Sequence, residues 1–352
     1  MKQLFSLLLL LFIVAGLYAQ KPVVVQKTEI TTSRVVTAET VYNEGVILLE
    51  EGEFDEALEK FTKAIRLRPR FDHAYVNRAV IKSEKKEYTD AIADYNEAIK
   101  ISASAGAYFG RAKAKYALND VNGAYEDYSS AIKADPTFAN AYYYRGGISF
   151  ERGNLNEAIA DYDKAIEHKP DYIFAFNDRA TAYRRIGKED LALIDYTKAI
   201  ALDETSIDFA FNNRGNLKRS QGLYKEAIDD YTAAIKMNPD NYSALNNRGL
   251  AKIDLGDYES AINDFTEALR VKADYVYAAN NRGNAHYKLK NYKAAISDYS
   301  LAIELNKNYG YAYFNRGVAK EMLRLEKDAC ADWQKARELG VKEASVYLQE
   351  CR

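Results

Sequence analysis

Residues 208–241 read DFAFNNRGNLKRSQGLYKEAIDDYTAAIKMNPDN, and residues 242–275 read YSALNNRGLAKIDLGDYESAINDFTEALRVKADY. Laid one over the other, the two stretches share Asn-Asn-Arg-Gly at positions 5 to 8 and Ala227 and Ala261 at position 20. They also share an Asp-aromatic pair at positions 23 and 24 (Asp230-Tyr231, Asp264-Phe265) and Ala234 and Ala268 at position 27. Within each stretch the apolar residues follow helical spacing over roughly positions 2–14 and 17–29. Gly222 and Gly256 stand between them at position 15, where a helix ends and a left-handed residue is wanted. Each stretch therefore predicts a helical hairpin whose apolar face a neighbour must cover.

The period runs on in both directions, giving nine units: 38–71, 72–104, 105–138, 139–172, 173–207, 208–241, 242–275, 276–309 and 310–343. The second is one residue short and the fifth one long. Position 8 is always Gly or Ala, from Gly45 to Gly317, and positions 20 and 27 are Ala throughout. Position 24 is always aromatic, from Phe61 through Tyr95 and Tyr128 to Trp333. Small residues at these places let paired helices approach closely, while the ring fills the gap beside them. Pro69, Pro136, Pro170 and Pro239 share position 32, beyond the second helix.

These residues resemble the tetratricopeptide repeat (TPR) family, with Gly or Ala at 8, an aromatic at 24, Ala at 20 and 27, and Pro at 32. The resemblance spans residues 38–343 and implies an all-α TPR solenoid, a continuous right-handed superhelix of nine hairpins. Residues 344–352 resemble the start of a tenth first helix and are read as a capping helix. Two departures stand out. Position 7, usually Leu in the family, is Arg in eight units; position 32 drifts to Ala103, Glu204, Ala273, Lys307 and Val341, which is expected to change helix ends but not the fold.

The arginines are Arg78, Arg111, Arg145, Arg179, Arg214, Arg248, Arg282 and Arg316. A regular row of Arg fits a phosphate track, but position 23 of the same units is always Asp: Asp94, Asp127, Asp161, Asp195, Asp230, Asp264, Asp298 and Asp332. The first unit has Glu44 at 7 and Lys60 at 23, the same pair with signs exchanged. Charges drawn partly out of water need partners, so a structural ion-pair series is the preferred reading.

In the resembled family, positions 2, 5, 6, 9, 12 and 13 of successive first helices line a groove for partners, and Asn at 6 bonds an extended peptide backbone. Position 6 here holds Asn43, Asn77, Asn213, Asn247, Asn281 and Asn315, reinforced at position 5 by Asn212, Asn246 and Asn280. A side-chain amide matches a peptide group of any sequence. The plainer alternative is that Asn-Asn-Arg-Gly is simply tolerated in this helix. If the amides face a ligand, replacing Asn247 and Asn281 by Ala leaves thermal stability nearly unchanged. Early units place Tyr42, Phe109, Tyr116, Tyr143, Tyr144 and Phe150 at inward positions, and later units add Arg184, Arg185, Arg219 and Lys288. The first half is thus expected to grip apolar side chains, unless those rings only pack between repeats, and the second half polar or acidic groups.

The chain of 352 residues is 48% hydrophobic and 28% charged, which excludes wholesale disorder. Lys and Arg number 49 against 51 Asp and Glu, so no basic excess points to nucleic acid. Residues 1–19, with Lys2 before the apolar run Leu4 to Leu17 and Ala19 at the cut, read as a signal peptide rather than a membrane anchor, because the run is short for a bilayer. Residues 20–37 read as an extended tether. The mature chain is then expected to be exported, periplasmic or extracellular, with no membrane span. The only cysteines, Cys330 and Cys351, are expected to form a disulfide there rather than remain free thiols, pinning the cap. His73, His168 and His286 lie in separate units, and no catalytic, phosphate-binding or metal-binding motif is present. No enzyme activity, cofactor or metal is expected. The leading expectation is a scaffold that binds an extended segment of another protein; the alternative is an accessory role in envelope assembly or polysaccharide export, with glycan in the Tyr-rich groove.

Overall fold

The computed structural model describes residues 36–203 and 207–351. The expected signal peptide and all but the last residues of the tether lie outside the described residues. Among the described residues every regular element is helical. Two compact units divide the chain, Met1–Pro170 and Asp171–Arg352.

The first unit holds four hairpins: α1 (Ala38–Glu51) with α2 (Phe54–Leu67), α3 (Asp72–Glu84) with α4 (Tyr88–Ile101), α5 (Ala105–Ala117) with α6 (Val121–Ala134), and α7 (Ala139–Glu151) with α8 (Leu155–His168). The second holds five: α9 (Ile173–Arg185) with α10 (Glu189–Leu202), α11 (Asp208–Ser220) with α12 (Tyr224–Met237), α13 (Tyr242–Asp254) with α14 (Tyr258–Val271), α15 (Val276–Lys288) with α16 (Tyr292–Leu305), and α17 (Gly310–Glu321) with α18 (Glu326–Glu338). A one-turn helix α19 (Ala344–Tyr347) and a 3-10 turn (Leu348–Glu350) close the second unit. The short capping helix expected over residues 344–352 is thus present, as one turn of α-helix continued by the 3-10 turn.

The hairpin turn falls where Gly recurs. Gly52, Gly153, Gly187, Gly222 and Gly256 adopt φ between 76° and 85° at position 15, and Lys86, Asn119, Lys290 and Arg324 take the same left-handed region in the remaining repeats. Eight second helices end alike whether or not Pro follows: α2, before Pro69, and α4, before Ala103, both stop at position 30, whereas α18, before Val341, stops one position earlier at Glu338. The expectation that drift at position 32 moves helix ends therefore holds at Val341 and not at the other four drifted positions. The extended residue after the helix, Arg68 or Ser102, is set by packing into the next repeat, and Pro only favours a bend already made.

Packing follows the small-residue pattern. A Cβ on Gly249 would sit 2.7 Å from Phe265, and one on Gly45 would sit 2.9 Å from Phe61, so ring and backbone are in direct contact. Phe61, Phe265 and Tyr231 are fully buried, each contributing about 1.5–3 kcal/mol of transfer free energy. Where position 8 is Ala, the ring shifts onto the next repeat. Tyr95 leaves no room for a Cβ on Gly110, and Tyr128 stacks on Tyr144 at 5.8 Å. Gly110 and Tyr144 are the two first-unit interruptions of the Asn run at position 6, and these rings account for both.

The Arg–Asp series locks the two helices of each hairpin to one another. In all eight repeats the Arg Nη2 donates to the Asp Oδ1 at 2.6–2.8 Å. Nε donates to Oδ2 beside it, from 2.7 Å in Arg179–Asp195 to 3.1 Å in Arg282–Asp298. In the first repeat Lys60 donates to Glu44 at 2.5 Å. Two further partners escape pairwise reading of the sequence. Lys82, Lys115, Lys218, Lys252 and Lys320, all at position 11, add an ammonium to the same Asp at 2.7–2.9 Å. The Arg Nη1 reaches back to position 25 of the preceding repeat, as in Arg78 to Thr62, Arg111 to Asn96, Arg248 to Thr232 and Arg316 to Ser300. One guanidinium thus ties its own hairpin and the one before it. Repeat four has Ser149 at position 11, and there burial holds the Asp161 carboxyl above the usual carboxylate value despite its bond to Arg145.

Candidate functional site

Successive first helices touch one another directly (α1–α3, α3–α5, α9–α11, α11–α13, α13–α15 and α15–α17), so within each unit their positions 5, 6, 9, 12 and 13 form one face. On this face the asparagines bond to each other across repeats. Asn213 Nδ2 donates to Asn177 Oδ1, Asn247 to Asn212, Asn281 to Asn246, and Asn315 to Asn280, all at 3.0–3.1 Å. In the first unit Asn77 Nδ2 donates to the Tyr42 hydroxyl at 3.0 Å. Position 6 of one repeat is stitched to position 5 of the preceding one. The sequence carried this signal as an Asn-Asn pair at a 34-residue repeat, but periodicity alone does not say that neighbours are each other's partners.

This geometry corrects several expectations. Asn43, Asn77, Asn246 and Asn280 are buried, as are Tyr42, Phe109 and Phe150, and none of these seven offers a side chain to a ligand at the surface. The first-unit rings pack on each other: Phe109 lies 5.5 Å from Tyr144, and Tyr143 lies 5.2 Å from Tyr144 in edge contact. Burial pushes the Tyr144 hydroxyl up to about 12. Tyr116 donates to Glu151 Oε1 at 2.6 Å, and burial raises the Glu151 carboxyl. Of the aromatics expected to grip apolar side chains in the first half, Tyr42, Phe109 and Phe150 are thus taken up by packing, whereas Tyr116, Tyr143 and Tyr144 stay half-buried. The expectation that Asn247 and Asn281 can be removed without loss of stability fails for the same kind of reason, since both bridge helices.

In the second unit Arg219 Nε is held by Asp254 Oδ2 at 2.6 Å. Arg184 is half-buried beside Tyr196, and Arg185 is exposed, its pKa lowered by desolvation and by the like charge of Arg184. Lys288 is exposed.

Lys288 and Asn315 lie on a cavity of about 300 Å³ walled by α13, α15, α16, α17 and α19. Leu250, Ile253 and Val318 supply its aliphatic wall, Tyr287, Phe314, Tyr299 and Tyr347 its rings, and Asn284 a second amide. Leu250, Asn284 and Val318 stand at position 9 of successive repeats, and Ile253 and Tyr287 at position 12, so the cavity belongs to the first-helix face. Asn284 Oδ1 accepts from Tyr299 Oη at 2.9 Å and from Asn315 Nδ2 at 3.3 Å. Asn315 thus engages its amide group on Asn280 and Asn284, leaving its carbonyl as an acceptor. Burial also raises the Tyr299 hydroxyl. An apolar hollow with fixed amides and an ammonium suits one apolar side chain flanked by peptide groups. Sequence reasoning missed Asn284, Tyr287, Phe314 and Tyr347; the inward positions 9, 12 and 5 pointed to the first three, whereas the cap's contribution had no sequence signal.

Family models described as tetratricopeptide repeat match residues 42–106, 109–173, 209–241 and 246–312, which is more than half of the chain. The chain belongs to the tetratricopeptide repeat family. Members of this family are protein-interaction scaffolds. The heat shock protein STI1 of Saccharomyces cerevisiae is 31% identical over 102 residues, which are 28% of this chain and 17% of that protein. Tetratricopeptide repeat protein 36 of Caenorhabditis elegans is 42% identical over 59 residues, 17% of this chain and 33% of that protein. The chain thus spans a third or less of the length of these curated relatives. Among solved structures, the Cut9 and Hcn1 complex of the APC/C matches with a TM-score of 0.56 at 16% identity, over 89% of this chain and 76% of that one. Pseudomonas aeruginosa PilF matches with a TM-score of 0.53 at 22% identity, over 61% of this chain and 96% of that one. These two likenesses support the fold. Among the described residues no helix is long and apolar enough to cross a membrane, and no group of three or more His, Cys, Asp or Glu is placed to hold a metal ion.

Proposed function

We propose that this protein is an exported scaffold that binds an extended segment of another protein along the first-helix face of its second unit, with one apolar side chain of that segment seated in the α13–α15–α17 cavity. The observation that carries this reading is the cavity itself, where aliphatic and aromatic walls meet fixed amides and the Lys288 ammonium. The exposed or half-buried members of the expected site, Asn213, Asn247, Asn281, Asn315 and Lys288, lie on this face; the asparagines offer their remaining amide groups, and Lys288 its ammonium, to a peptide backbone. Export is supported by the Cys330–Cys351 disulfide, a bond that persists in oxidising compartments, together with the apolar run at Leu4 to Leu17. The glycan alternative gains nothing from the rings. Of the expected Tyr-rich groove, Tyr42, Phe109 and Phe150 are buried, and Tyr143 and Tyr144 meet edge to face at 5.2 Å, so they do not form the flat platform a sugar ring stacks on.

A photo-reactive phenylalanine analogue placed at Tyr287, with another at exposed Ile194 as control, tests the reading in the native host. The expected result is an adduct at 287, mapped by mass spectrometry to one short segment of a partner protein, and none at 194. Equal labelling at both positions, or adducts only to glycan, would overturn it.

A further inference from the structure

We propose that the Cys330–Cys351 disulfide is a redox latch on the end wall of the α13–α15–α17 cavity: oxidised, it holds Tyr347 in place as that wall, and reduced, it lets the wall go. The disulfide joins α18 to the residue after the final 3-10 turn, with the two Cα atoms 5.8 Å apart and 21 residues between them in sequence. Between these anchors the chain leaves α18 and makes only the four-residue α19 and a three-residue turn. Helices this short have no stability of their own in water. Apart from the disulfide, they are held by Val341 and Ala344 in the core cluster around Trp333, with Tyr347 and Leu348 packed against it. Val341 and Ala344 are buried, Val346 is 66% exposed, and Tyr347 is half-buried. Tyr347 is nevertheless the cap residue that lines the cavity, its ring 5.3 Å from Phe314 and 4.9 Å from Trp333. Both cysteines are partly exposed, so a reductant can reach the bond. The step balances with a dithiol as reductant: its two thiols close to a disulfide, and the Cys330–Cys351 bond opens to two thiols. With the covalent anchor gone, the short cap frays and the cavity loses one side. This inference rests on the cavity and not on what occupies it, so its failure leaves the segment-binding proposal standing, and the converse also holds.

Trp333 is the only tryptophan in the chain and lies against Tyr347, which makes its emission a direct reporter. The full-length protein is treated with excess dithiothreitol, and complete reduction is confirmed by alkylation and mass spectrometry. The expected result is a red shift of Trp333 emission and stronger acrylamide quenching, with the helical circular dichroism signal retained. Cys351→Ser should show the shifted emission from the outset and ignore dithiothreitol. An unchanged emission in the fully reduced protein would overturn the proposal. So would loss of the bulk helical signal, because the bond would then be a global staple and not a local latch.

Discussion

Removing Asp230 should destabilise the second unit severely, and the structure says which companion changes rescue it. Asp230 is buried and receives Arg214 Nη2 at 2.7 Å, Arg214 Nε at 2.9 Å and Lys218 Nζ at 2.9 Å. Asp230→Ala leaves two cations facing each other with no anion, each with only 16% of its side chain exposed. Breaking a buried pair from one side costs about 3–5 kcal/mol, and the partial exposure of both cations places this site at the low end, about 3 kcal/mol. At about 2–4 °C per kcal/mol for a unit of this size, the transition involving α11 to α14 should fall by about 6–12 °C. A simple exchange of Arg214 and Asp230 should recover little, because it sets the new arginine against Lys218. The first repeat shows the working form of the swap. There Glu44 faces Lys60, and position 11 is Leu48, so no second cation intrudes. The triple change Arg214→Glu, Lys218→Leu, Asp230→Lys should therefore return to within about 1 kcal/mol of the parent, the scale of an exposed ion pair. Thermal unfolding by circular dichroism and amide exchange in α11 and α12 measure both quantities. A harmless Asp230→Ala, or a triple variant as weak as the single, would refute the three-group lock.

Asn281→Ala should lower stability by about 1–2 kcal/mol, read from a urea midpoint, because it leaves the Oδ1 of buried Asn246 without the donor it has at 3.0 Å; no change would show that the inter-repeat amide bonds carry no weight. Gly110→Asn, which restores the commonest residue at position 6, should instead destabilise by about 1–3 kcal/mol by overpacking the Tyr95 ring, and a neutral result would mean that ring is free to move. Asp161 should titrate above the usual 3.8 in carboxylate-resolved NMR, since burial raises it. Its native pKa lies above its unfolded one, so its contribution to stability is full below the unfolded value and is lost as pH rises through the native value. A titration at or below 3.8 would contradict that account.

The fold was legible because packing acts on single positions. Gly or Ala at 8, Ala at 20 and 27 and an aromatic at 24 mark where helices touch, and each mark recurs in every hairpin. The ion pairs were legible through an accident of the first repeat, whose Glu44 and Lys60 reverse the sign of both partners at once. What could not be read were relations between repeats. Asn281 bonds Asn246, which lies 35 residues away, and a period seen along the chain does not reveal that the contact crosses the period. The aromatics misled for a related reason. Tyr42, Phe109 and Phe150 stand at positions that face inward in isolation, but neighbouring rings cover them once the repeats stack. The cavity draws its end wall from Tyr347 in a segment of seven helical residues, and no pattern of that length separates a wall from a frayed end.

The central claim is that the first-helix face of the second unit holds an extended polypeptide with a side chain in the cavity. Peptides selected from a random displayed library against the full-length protein, then titrated by calorimetry against the parent and against Tyr287→Ala with Lys288→Glu, test it directly. The claim predicts at least one selected peptide whose affinity drops about tenfold or more in the double variant, a loss of about 1.4 kcal/mol, with the thermal midpoint unmoved. Binding that is indifferent to both substitutions would contradict it.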